Sequence, residues 1–305
     1  MDARLGDESG KPQKGVKRME LRHVAQRSGR LSSFLKGEMA MSTGLMNKLK
    51  WGDGICVNGV SQRTNYQVES GDVITVRLDE ETPEYPAEDG QVDVIYEDEH
   101  ILAVDKPAGM LIHPSHSVNR GTLANLVVGY YGRKGEKCAF HPVTRLDRDT
   151  YGIVLLAKNA HIHSLLNQLH GEGKLQKTYH AVVFGGPERN AGVIDAPIAR
   201  RPLPSLLRFV SEEGKPSVTE FRVLERQGDI SRLELKPITG RTHQLRLHCA
   251  WAGFPILGDP QYGSETSQGF APELESQLLC AKKLEFCHPV TGEALCLVSG
   301  MDARY

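Results

Sequence analysis

From Asp79 to Glu99 the chain carries ten acidic residues and neither lysine nor arginine, and its first part, Asp79 to Gly90, is broken by Pro83 and Pro86. A stretch so charged and so poor in apolar residues has little to bury, so it reads as a linker that divides the chain into a small leading unit and a larger one. The leading part has the opposite charge: between Lys11 and Lys50 stand ten bases against two acids. The net charge of −1 therefore hides a basic segment of the kind that attracts phosphate, followed by an acidic one that cancels it.

A chain of 305 residues accommodates one large domain and one small one. Residues 1–17 lack periodic apolar positions and are expected to form a flexible tail. Residues 18–78 are expected to fold as a small α/β unit. Leu21 to Ala25 is strand-like, Ser32 to Lys36 is helical, Ser42 can cap a helix through Leu49, and Asn58-Gly59 joins two short strands as a hairpin. After a linker at 79–90, residues 91–305 show recurrent short strand patterns at 92–96, 101–104, 153–156, 180–184, 219–223 and 230–235, with helical patterns at 122–131 and 160–169. Strands outnumber helices and their connections are short. The expectation is an α+β domain with a mostly antiparallel mixed sheet and flanking helices.

Several classes are disfavoured. No apolar run approaches the ~20 residues of a membrane helix, and the mixed charges near Met1 do not form a secretory signal, so a cytoplasmic protein is expected. Six scattered cysteines include no C-x-x-C pair, which predicts neither disulfides nor a metal site. No glycine-rich phosphate loop is written, so no nucleotide cofactor is expected.

Two segments place charge beside turns and apolar flanks. One is His141-Pro-Val-Thr-Arg-Leu-Asp-Arg-Asp-Thr-Tyr-Gly152, with Asp147 and Asp149 among Arg145 and Arg148. The other is Gly240-Arg-Thr-His-Gln-Leu-Arg-Leu-His248, which can open a helix with Leu245 inward and Arg241, His243 and His248 elsewhere. By pattern alone such groups serve as structural ion pairs or as a site.

These two segments resemble signatures of the ribosomal large-subunit class of pseudouridine synthases. Asp105-Lys-Pro-Ala-Gly-Met-Leu-Ile-His-Pro114, Lys177-Thr-Tyr-His-Ala181 and Gly258-Asp-Pro-Gln-Tyr-Gly263 match further ones in order. The small leading unit is similar to an S-four-like RNA-binding module. Two positions depart from the family pattern: Thr144 stands where His is common and Tyr151 where Ser is common, so Tyr151 is expected to add bulk beside the catalytic loop. In the leading unit, Ser42-Thr43 replaces the usual Ser-Arg.

The resemblance implies isomerisation of uridine to pseudouridine in structured RNA, ribosomal RNA favoured over transfer RNA, by a monomer without cofactor or metal. It assigns the carboxylate acting at the ribose to Asp147, either through a bond to C1′ or through removal of a ribose proton. It pairs Arg241 with Asp147 and sets Tyr179 against the base. Arg145 and Arg148 would hold phosphate, and Leu247 would pack under the base. Rival readings are a non-catalytic RNA-binding or ribosome-assembly factor on the same fold, and a hydrolase using Asp147 with Asp149.

Overall fold

The computed structural model describes residues 19–51, 53–78, 81–115, 117–202, 205 and 207–305, so the expected tail at 1–17 lies outside the described residues. The chain separates into two compact units, divided between residues 80 and 81.

In the first unit a four-stranded antiparallel sheet runs in the order Met19–Val24, Val73–Leu78, Ile55–Val57, Val60–Ser61. Asn58 and Gly59, both with positive φ, make the two-residue turn between the last two in sequence, the geometry whose twist matches a hairpin. The helices Leu31–Gly37 and Thr43–Leu49 bury Leu31, Phe34, Leu35, Met46 and Leu49. Ser42 caps the second helix by accepting the Leu45 N–H at 3.1 Å.

The second unit is built on a ten-stranded mixed sheet. Along its main path the order is Ala191–Asp195, Val218–Gln227, Ile230–Pro237, Gln176–Phe184, Leu279–Cys287, Tyr151–Ala157, Ile101–Lys106, Asp93–Glu97. Ala294–Val298 and His141–Pro142 pair off this path. Every pairing is antiparallel except that of Tyr151 and Gly152 with Cys280 and Ala281. The expected α+β class with a mostly antiparallel mixed sheet therefore holds. Apolar cores lie against the sheet. The helix Leu123–Arg133 packs Leu123, Val127 and Tyr131 against Leu102, Val104 and Val154, and the helix Gln244–Trp251 packs Leu245 and Cys249 against Ala181, Leu233 and Leu235.

Two expectations change. The central strand Leu279–Cys287 was not foreseen, because Lys282, Lys283 and Glu285 interrupt its apolar pattern. Burial of the polar strand face is made tolerable in part by Lys282 Nζ, which donates to the Ser299 and Met301 carbonyls at 2.7 and 2.8 Å. The second change concerns the linker at 79–90, since residues 81–90 belong to the second unit. Their acids and backbone are engaged: Glu81 pairs with His141, Glu88 accepts the Gly121 N–H, and the Glu88 N–H donates to the Asn125 carbonyl. The segment lies so close to the helix that a Cβ on Gly129 would stand 2.0 Å from the Glu88 carbonyl oxygen.

Candidate active site

Asp147 sits in the loop entering the strand Tyr151–Ala157, and three local features hold that loop. Lys106, fully buried, donates to the carbonyls of Pro107, Met110 and Arg148, each at 2.8 Å, tying the Asp105-Lys-Pro segment to the loop. Burial pushes the Lys106 ammonium down to about 8, with Asp149 and Asp147 working the other way. Thr150 is buried, with its hydroxyl accepting from Gln277 at 3.1 Å. Gly152 has φ +105°, and a Cβ there would stand 2.4 Å from the Ala281 carbonyl oxygen, so only glycine permits the parallel crossing that ends the loop.

The partner of Asp147 is Arg246, whose Nη1 donates to Asp147 Oδ2 at 3.2 Å. Arg241, expected in that place, is exposed and donates through Nε to the Pro216 carbonyl at 3.2 Å. The reason is helical phase. The helix begins at Gln244, so Arg241 precedes it and Arg246 lies on the buried face of its first turn. Arg246 is 5% exposed and also grips Asp259, itself 1% exposed, with Nε and Nη2 at 2.7 and 2.8 Å. Its Nη2 reaches Gln261 Oε1 at 3.0 Å as well. Burial works against its charge, but Asp259 and Asp147 outweigh that and raise Arg246 above the ordinary guanidinium value. A planar fork held this way on two sides delivers its remaining N–H to Asp147 in one geometry.

The turn before this helix is held just as tightly. Gln244 Oε1 accepts from Thr239 Oγ1 and from the Arg241 N–H, while Gln244 Nε2 donates to the Val218 carbonyl at 3.0 Å. His248, expected outside the packed face, is fully buried. Its Nε2 donates to the Ala196 carbonyl at 3.0 Å, and Nδ1 therefore accepts from Thr219 Oγ1 at 2.9 Å.

A cleft of about 510 Å³ opens over this arrangement. It brings together Asp147, Tyr179, Arg145 and Arg241, with His243, Leu245 and Arg246 at the same wall. Tyr179 is 8% exposed, and burial together with Asp147 raises its hydroxyl well above the usual phenol value, so it stays protonated. Leu247 does not line the cleft, whereas Leu245 of the same helix does, together with Leu111, Leu146 and Leu279. Arg148 turns its fork onto Asp149 at 3.0 and 3.2 Å. Tyr151 points to the opposite face, where it packs against the cluster of Val182, Leu257, Cys280 and Ala303 and donates to the Asp302 carbonyl at 3.4 Å, so it adds no bulk at Asp147. Thr144 is buried and accepts the Leu155 N–H at 2.9 Å.

Sequence reasoning missed Arg246, Asp259 and His243 as parts of one site. A signal existed for the first two: an arginine between Leu245 and Leu247 on a helix that packs into the core needs a buried carboxylate, and Gly258-Asp-Pro supplies one.

The family of RNA pseudouridylate synthases matches residues 100–251. The fold is similar to that of human RNA pseudouridylate synthase domain containing 1, with a TM-score of 0.58, 27% identity, and coverage of 70% of this chain and 86% of that one. This chain belongs to the RNA pseudouridine synthase family, and it is an enzyme that isomerises uridine in RNA. Among its relatives, an uncharacterized RNA pseudouridine synthase of Bacillus subtilis, YjbO, is 36% identical over 84% of this chain and 90% of its own length. Ribosomal large subunit pseudouridine synthase D of Pseudomonas aeruginosa is 36% identical, over 78% of this chain and 77% of its own. Among the described residues no helix is long and apolar enough to cross a membrane.

Proposed function

We propose that this enzyme acts on uridines of ribosomal RNA, with Asp147 as the carboxylate that works at the ribose. The observation that carries the assignment is the Asp147 carboxylate at the wall of the cleft, held by a buried arginine that Asp259 fixes from behind. The reaction breaks the bond from uracil N1 to C1′, turns the base, joins C5 to C1′, releases the C5 proton and leaves N1 protonated. It is redox-neutral and consumes no water, so its chemistry calls for no cofactor. A carboxylate beside C1′ stabilises the positive charge that develops there, as in glycoside cleavage. Arg246 holds Asp147 in one orientation through its hydrogen bond. Tyr179, protonated, serves as a stacking and hydrogen-bonding surface for the turning base. Arg145 at the cleft contacts RNA backbone, with Arg148 and Arg241 contributing charge from the exposed rim.

The ribosomal substrate is supported by the names of several relatives, among them synthase D of Pseudomonas aeruginosa. For the first unit we propose an S-four-like role in RNA binding. Trp51, 70% exposed, lies within 5.4 Å of Lys50 Nζ and 5.9 Å of the Arg63 guanidinium, an aromatic surface with cations beside it that suits an unstacked base and its phosphate. The test is to map pseudouridine in ribosomal RNA from a strain lacking the gene. One position in large-subunit RNA is expected to revert to uridine, and to be restored by the wild-type protein but not by Asp147→Asn. Loss confined to transfer RNA would overturn the substrate assignment.

A further inference from the structure

His243 is the one non-glycine residue of the second unit with positive φ among the described residues, at φ 58° and ψ 18° immediately before the helix Gln244–Trp251. A left-handed backbone is unfavourable for a histidine and persists only where surrounding contacts fix it. Here the conformation brings the imidazole to the cleft wall, with Nε2 3.9 Å from Asp147 Oδ2. That distance exceeds a hydrogen bond, so the ring and the carboxylate flank a gap rather than close it.

The ring's other nitrogen identifies what Nε2 offers. Nδ1 lies 2.9 Å from Tyr262 Oη, and the same phenol oxygen accepts the Arg208 backbone N–H at 3.1 Å. A backbone N–H can only donate, so the phenol's own proton is free for Nδ1, the acceptor it faces. The ring hydrogen then stands on Nε2, directed toward Asp147. Burial lowers His243 below the ordinary imidazole value, with Arg246 and Arg208 acting the same way against Asp147, so the ring is a neutral single donor. Tyr262 is fixed in turn: the Arg246 guanidinium lies 5.2 Å from its ring centre and its N–H is bonded to Asp259 Oδ1.

We infer that His243 Nε2–H donates to the 2′-oxygen of the target ribose, so that this residue reads ribose against deoxyribose at the reacting nucleotide. The inference rests on the assignment of Asp147 to the ribose. A carboxylate working at C1′ has the 2′-hydroxyl as a near neighbour, and a neutral donor flanking the same gap is matched to that oxygen. The 2′-hydroxyl is the group by which a protein distinguishes RNA from DNA at one site.

The experiment compares single-turnover rates of the full-length protein on a synthetic stem-loop RNA carrying one modified uridine and on the same RNA with 2′-deoxyuridine there. Turnover of the all-ribose RNA by Asp147→Asn beside the wild type tests the underlying assignment separately. The wild type is expected to lose roughly tenfold on the deoxy substrate, the order of one hydrogen bond. His243→Phe should lose a similar factor on ribose and show a ribose-to-deoxyribose ratio near unity, while His243→Gln, which keeps a donor, should recover part of the ratio. If the melting curve shows that the phenylalanine variant does not fold, His243→Asn takes its place, since asparagine tolerates the left-handed backbone and is too short to reach the ribose. A wild-type ratio near unity, or a full wild-type ratio in the variant lacking the donor, would overturn the inference.

Discussion

Tyr179 and His180 are neighbours on one strand and face opposite sides of the sheet: Tyr179 shares the cleft with Asp147, Arg246 and His243, and His180 meets Asp302 and Arg232. On the cleft side Asp147 receives Arg246 on one oxygen and its side chain remains 31% exposed. On the other side Asp302 is saturated: His180 Nδ1 and the Ala303 N–H share Oδ1 at 2.7 and 2.9 Å, Arg232 takes Oδ2, and the side chain is 12% exposed. The two clusters hold the same residue types and do different work. One keeps acceptor capacity facing a cavity large enough for a nucleotide; the other spends all of it in fastening the C-terminal segment to the sheet. Unused valence toward a cavity, more than the residue types themselves, separates a site from a clamp.

The sharpest way to break the comparison is at the arginines. Arg246→Met leaves Asp259 buried without its partner and should cost about 3–5 kcal/mol of stability. It should also slow turnover of the surviving folded protein by on the order of a hundredfold, because Asp147 is no longer aimed. Thermal unfolding and single-turnover kinetics on the same preparation measure both; full turnover in a destabilised protein would make Arg246 a clamp like Arg232.

Asp302→Asn should give the opposite division. A lost charged hydrogen-bond network is expected to cost about 1–3 kcal/mol of stability with the rate per folded molecule unchanged. Burial works to raise Asp302, but the bonds from His180 and Arg232 outweigh it and hold the carboxyl below its ordinary value. Its stabilisation is therefore present above the unfolded value near ~3.9 and is lost as pH falls through the folded value. The gap between wild-type and variant melting temperatures should narrow on acidification below about pH 4; a gap that widens would refute the sign.

Arg241→Ala should show the smallest effect. Its fork rests on an exposed carbonyl, so a several-fold weaker apparent affinity for RNA with near-normal maximal rate is expected, together with a shallower salt dependence. A collapse of the maximal rate at saturating RNA would return Arg241 to the role the sequence suggested.

That suggestion shows where the sequence was legible. The ordered motifs singled out Asp147 and Tyr179, which line one cleft, and the glycine that ends the loop, and strand and cap patterns recovered most elements, since these depend on local periodicity and turn chemistry. Choosing between Arg241 and Arg246 required the register of a helix whose start is fixed by Gln244 bonds to residues 218, 219 and 239 rather than by a local cap. The placement of Tyr151 on the far face depended on a strand crossing set by Leu279–Cys287, whose lysines concealed it. The acids at 81–90 read as solvated linker because their partners, among them His141, Gly121 and Arg133, lie far along the chain.

The central claim is that Asp147 is the working carboxylate and that its environment exists to aim it. Tritium release from RNA labelled at carbon 5 of uridine, measured for Asp147→Asn beside the wild type with both melting curves in hand, tests it directly. The account predicts no release from a variant that melts like the wild type, whereas release at the wild-type rate would contradict it.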